Sequence, residues 1–135
     1  MKRNKIQFIS VILVVILVTL ACGFNVSTAN IKDAYMTRDS AGTEKTTTFA
    51  QDEIFYCIVQ LANAPDDTQV KAVWYVVEAQ DTDPNTKIDE ASITHGDGTL
   101  TFDLTNSNNL WPIGKYKVEI YLNDKLDRTI EFQVQ

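Results

Sequence analysis

From Ile54 to Val134 the chain falls into short runs of β-branched and aromatic residues, each closed by a cluster of turn formers. This rhythm constrains the fold more than any other feature. In Thr99–Thr105, Leu100, Phe102 and Leu104 alternate with Thr101 and Asp103. Gly114–Asn123 repeats the pattern with Tyr116, Val118, Ile120 and Leu122, and Leu126–Val134 does so with Ile130, Phe132 and Val134. A strand turns successive side chains to opposite faces, so period-2 alternation is the mark of a strand with one wet face. No segment carries a 3.6-residue apolar period. The chain is expected to be all-β.

The remaining runs are less regular. Ile54–Leu61 is closed by Asn63-Ala64-Pro65-Asp66-Asp67, and Val70–Ala79 by Asp81-Thr82-Asp83-Pro84-Asn85. Lys87–Thr94 follows, closed by Gly96-Asp97-Gly98, and a strand over Asp33–Arg38 opens the domain. Asn123-Asp124 between two alternating runs predicts a tight hairpin. About seven short strands with turns every 8–12 residues point to an antiparallel two-sheet sandwich.

Leu110-Trp111-Pro112-Ile113-Gly114-Lys115-Tyr116-Lys117-Val118 resembles the E–F corner and F strand of immunoglobulin-like and fibronectin type III-like domains. The resemblance implies an immunoglobulin-like sandwich in which the Tyr116 hydroxyl folds back to pin the corner. It places Trp74 in the core. It also puts Val118 where disulfide-bearing members carry the second Cys, leaving Cys57 a buried lone thiol. A likeness of this length speaks for a fold and not for a function.

The N-terminus supplies an address. Lys2, Arg3 and Lys5 precede an apolar run, Phe8–Leu20, broken only by Ser10 and Thr19. That is the layout of a secretory signal, and it is short against the roughly 20 apolar residues of a membrane span. Thr19-Leu20-Ala21-Cys22-Gly23 resembles a bacterial lipobox, departing from it at Thr19. The resemblance implies cleavage before Cys22 and diacylglycerol on its sulfur. The expected layout is a signal helix over 1–21, a lipidated tether over 22–32 and a sandwich over 33–135. A retained signal anchor, or cleavage after Ala29, are the alternatives.

Loss of residues 1–21 removes three basic and no acidic residues, leaving 9 Lys and Arg against 18 Asp and Glu, a net charge of −9. Nucleic-acid binding needs a basic footprint to displace counterions, and this chain has none. The membrane is expected as a partner through the N-terminal anchor, at the cell membrane or outer envelope. A further protein or glycan partner is not named by the residues.

Catalytic parts are sparse. The lone His95 sits in a Thr-His-Gly-Asp-Gly turn, far in pattern from Cys57, and no Ser occupies a Gly-x-Ser-x-Gly elbow. No enzyme is expected. Asp81, Asp83 and Asn85 occupy positions 1, 3 and 5 of a calcium-type loop, but Thr86 replaces the usual Gly and Ser92 the usual bidentate Glu. Asp89 and Glu90 are nearby substitutes. We read the cluster as a turn first, with calcium as the one candidate cofactor. Tyr75 and Tyr121 have the opposite parity to Trp74 and Val118. They are expected on the outer face of one sheet, flanked by Val73 and Val77, as a candidate partner strip or a face covered by the chain itself. The leading expectation is an envelope-anchored, non-catalytic binding or structural module. An enzyme or metal-dependent protein using the Asp81–Glu90 loops, or a subunit of an envelope complex contacting partners through Tyr75 and Tyr121, are the other readings.

Overall fold

A computed structural model describes residues 27–107 and 109–135. The expected signal helix, Cys22 and residues 22–26 of the expected tether lie outside the described residues. Eight strands form two sheets: β1 (Asn30–Thr37), β2 (Thr48–Phe49), β3 (Phe55–Ala62), β4 (Gln69–Ala79), β5 (Thr86–Thr94), β6 (Gly98–Leu104), β7 (Gly114–Leu122) and β8 (Lys125–Val134). One sheet has the order β1-β3-β6, the other β2-β8-β7-β4-β5. The architecture is all-β and two-layered, as the alternation requires.

Two elements differ from expectation. β1 begins at Asn30, because Asn30 and Ile31 already pair with Ala62 and Leu61. Ile31, 6% exposed, joins the core, so the residues from Asn30 to Lys32 belong to the domain. The two-residue β2 was not anticipated. It pairs with β8 in parallel, Thr48 against Gln133, and seats Phe49 in the core.

The inward faces carry the expected residues. Phe55, Cys57, Val59 and Leu61 of β3 meet Val70, Ala72, Trp74 and Val76 of β4 in one cluster, with Tyr116, Val118 and Ile120 of β7. Phe55 stacks on Trp111 at 4.6 Å between ring centroids, and Tyr116 stacks on Phe132 at 5.6 Å. Offset aromatic pairs add to what burial alone contributes. Two tight constraints hold the frame. Asn123 and Asp124 both have positive φ, as a two-residue type I′ hairpin between β7 and β8 demands. Gly114 abuts β4 so closely that a Cβ there would fall 2.5 Å from Ala79 Cα.

The corner forms as the resemblance implied. The Tyr116 hydroxyl donates to the Pro112 carbonyl at 2.6 Å, and the residue is wholly buried. Trp111 is tied in by its indole N–H to the Glu53 carbonyl at 3.0 Å.

The outer face of the three-stranded sheet has a cover of its own. The 39–46 segment folds over it, so Gly42 lies against Tyr35 and Ile58. The Asp39 carboxylate organises this loop. Its Oδ1 accepts from the Thr37 hydroxyl at 2.7 Å, the Thr43 amide at 2.9 Å and the Glu44 amide at 2.7 Å. Donors converging on the charged form hold the Asp39 carboxyl far below the usual carboxylate range, with the Glu44 amide contributing most.

Candidate functional site

β4 and β7 are neighbours in the five-stranded sheet, so the expected outer face exists. The register places Lys71 opposite Tyr121, Val73 opposite Glu119 and Tyr75 opposite Lys117. Each strand therefore carries Lys-x-x-x-Tyr, Lys71 to Tyr75 and Lys117 to Tyr121, and antiparallel pairing sets each Lys beside the other strand's Tyr. The Lys71 ammonium stands 4.7 Å from the Tyr121 ring centroid and that of Lys117 stands 4.9 Å from the Tyr75 centroid. Both distances are within cation–π range.

Glu119 occupies the centre of this arrangement. Its carboxylate pairs with Lys117 at 3.2 Å and accepts from the Tyr121 hydroxyl at 2.9 Å. That hydrogen bond is the main cause of the raised Tyr121 pKa. On the flank, Lys87 pairs with Glu90 at 2.8 Å, which raises the Lys87 pKa and lowers that of Glu90.

The expected apolar strip is corrected by this geometry. Val73 is only 4% exposed, and Val77 is half-buried beside a β-bulge in β4. The tyrosines face outward but are engaged by the chain's own lysines. Among the described residues the cover is thus intramolecular and comes from this sheet. Sequence reading missed Lys71 and Lys117. Their signal was available: a Lys four residues before each outward Tyr shares its face.

The calcium-type residues do not converge. Among the described residues no three His, Cys, Asp or Glu side chains form a metal-binding group. Asp81 and Asn85 adopt positive φ within the β4–β5 turn, and the Asp83 carbonyl accepts from the Thr86 hydroxyl at 2.6 Å. Asp89 Oδ1 accepts the Glu90 amide at 2.8 Å, while Glu90 turns to Lys87. The cluster serves as a turn and an edge strand.

His95 is exposed, its Nδ1 2.9 Å from the Gly96 carbonyl. The neighbouring Asp97 carboxylate instead accepts the Ala64 amide at 2.6 Å. These residues border an open depression of about 470 Å³. A second open hollow, about 530 Å³, lies over Glu78, Lys115, Glu131 and Gln133. Cys57 is fully buried, and desolvation pushes its thiol up to about 12. The structure therefore separates the chain's one His from this thiol.

No protein-family model matches the sequence, and no curated protein matches it. Solved structures do. An immunoglobulin-like protein from Pseudomonas aeruginosa superposes with a TM-score of 0.55 at 13% identity, covering 83% of this chain and 100% of that one. An alkylpurine DNA glycosylase from Pseudomonas fluorescens gives 0.53 at 15% identity, over 81% of this chain and 31% of that chain. A β-glucosidase from Listeria innocua gives 0.52 at 16% identity, over 83% of this chain but 17% of the enzyme. Against both enzymes the chain spans well under two thirds of their length. Likeness at these identities shows the fold alone: the domain is an immunoglobulin-like β-sandwich.

Proposed function

We propose that this chain is an envelope-anchored lipoprotein whose immunoglobulin-like sandwich acts as a non-catalytic binding or structural module. The observation that carries the reading is Leu20-Ala21-Cys22 closing the apolar run Phe8–Leu20 behind Lys2, Arg3 and Lys5. A diacylated Cys22 holds the domain outside the cytoplasm, and the additional chain that lipoprotein processing supplies makes the attachment durable. The membrane is the partner this chemistry names. Nucleic acid is not a partner of a domain with net charge −9.

The non-catalytic part of the reading rests on the separation of reactive groups. Catalysis by Cys57 would need a thiolate, which burial opposes. His95 is solvated, and its ring contact is a backbone carbonyl. In the Asp81–Glu90 region the Asp89 carboxylate accepts the Glu90 amide and the Glu90 carboxylate pairs with Lys87.

The test is Cys22→Ala in cells fed labelled palmitate, followed by membrane fractionation. The native chain is expected to incorporate label and sediment with membranes. The variant is expected to lose the label and its normal processing. Label-free native protein would overturn the lipoprotein reading.

A further inference from the structure

The polypeptide enters the sandwich at one end. The β3–β4, β5–β6 and β7–β8 turns share that pole, because Ala62 pairs with Asn30, Gln69 with Thr94, Leu61 with Gly98 and Leu122 with Lys125. The chain does not leave this pole freely. The Thr28 hydroxyl donates to the Asn63 carbonyl at 2.8 Å, and Asn123 Nδ2 donates to the Ser27 hydroxyl at 3.4 Å. Arg128 Nη2 donates to the Ile31 carbonyl at 2.8 Å and ties the same entry to β8. Ser27, five residues after Cys22, is thus already held against the sandwich. Five residues reach at most roughly 17 Å when fully extended.

The same pole is acidic. Asp66, Asp67, Asp97 and Asp124 are exposed on it against Lys32 and Lys125, while Asp127 is paired with the half-buried Arg128 at 2.8 Å. The opposite pole holds the tyrosine corner and the exposed apolar side chains Ile54, Leu110 and Ile113, with exposed carboxylates of its own at Asp52, Glu78, Asp81 and Asp83, while Leu126 is exposed at the entry pole. Strands of nine residues put the poles about 30 Å apart.

We propose that the turn-rich acidic pole faces the bilayer that carries the anchor, at a distance set by the 22–26 segment, and that its carboxylates keep it off anionic headgroups. This rests on the anchor reading above. The partner of this surface is the anchor's own leaflet. Attachment limits how far the pole can rise, and like-charge repulsion, acting over a Debye length of about 8 Å, limits how far it can sink. The corner pole is thereby aimed away from the membrane, which places Ile54, Leu110 and Ile113 where a protein in the envelope space meets them first.

The experiment uses the full lipidated chain in vesicles of phosphatidylcholine, with or without phosphatidylglycerol, and acceptor-labelled headgroups. A donor dye is placed at Lys125→Cys or at Ser107→Cys. Cys22 is blocked by lipid and Cys57 is buried, so each variant offers one reactive thiol. Transfer at position 125 is expected to exceed that at 107 several-fold. A ten-residue Gly-Ser insertion between Val26 and Ser27 is expected to erase most of the difference. Changing Asp66, Asp67 and Asp124 together to Asn is expected to raise transfer at 125 in the anionic vesicles and leave it unchanged in the neutral ones. Equal or reversed transfer in protein whose Cys22 is lipidated overturns the orientation alone. No response to the Asn changes overturns the repulsive part. A Cys22 free of lipid overturns the anchor reading instead.

Discussion

Tyr116→Phe removes one oxygen atom and leaves the ring where it is, still stacked on Phe132 at 5.6 Å. What is lost is the 2.6 Å hydrogen bond to the Pro112 carbonyl, made by a side chain with no solvent exposure. Deleting one partner of a buried hydrogen bond costs about 1–3 kcal/mol. Pro112 is itself half-buried, so water can partly replace the hydroxyl and the lower half of that range is expected. For a domain of this size, unfolding entropy converts about 1–3 kcal/mol into roughly 4–13 °C of melting temperature. The assay is thermal unfolding followed by near-ultraviolet circular dichroism at a series of pH values. Desolvation pushes the Tyr116 pKa up to about 12 from an ordinary 10. A raised folded pKa contributes stability that is fully present below the unfolded value. It is lost as pH climbs from about 10 to about 12. The Phe variant has no such dependence, so its deficit is expected to shrink across that window. A melting temperature equal to that of the native chain at pH 7, or a deficit that stays constant up to pH 12, would refute the corner argument.

Cys57 is expected to resist thiol reagents in the native state and to react at once in denaturant, and labelling at the same rate in both states would mean that β3 is exposed. Asp39→Asn is expected to speed amide exchange at Thr43 and Glu44, which both donate to the carboxylate. Because the folded Asp39 pKa is lowered, its contribution is present above the ordinary carboxylate value and is lost only as pH falls through the folded one. Native protection of those two amides should therefore survive at pH 3, and its collapse there would count against the cradle.

The strands with one wet face were readable. β6, β7 and β8 show their inward residues in strict alternation, and the Asn123-Asp124 turn declares the hairpin. β2 was not readable, since two residues carry no period and Thr48–Phe49 is a strand only because β8 lies beside it. The early start of β1 was hidden by Asn30, Lys32 and Asp33, polar residues around the single buried Ile31. Parity placed Tyr75 and Tyr121 on a shared face, but both faces of β4 are apolar in sequence. Val73 is buried opposite Glu119, a pairing that only the register reveals. The Asp39 cradle was similarly out of reach, because it is built from backbone amides whose direction no residue type specifies.

The central claim is that the sandwich is carried on a lipidated Cys22, and the direct measurement is the mass of the N-terminal peptide from protein extracted out of membranes. The predicted result is a peptide that begins at Cys22 and carries diacylglycerol on its sulfur. A peptide that begins at Met1 with an unmodified Cys22, or at Asn30 after cleavage behind Ala29, would contradict it.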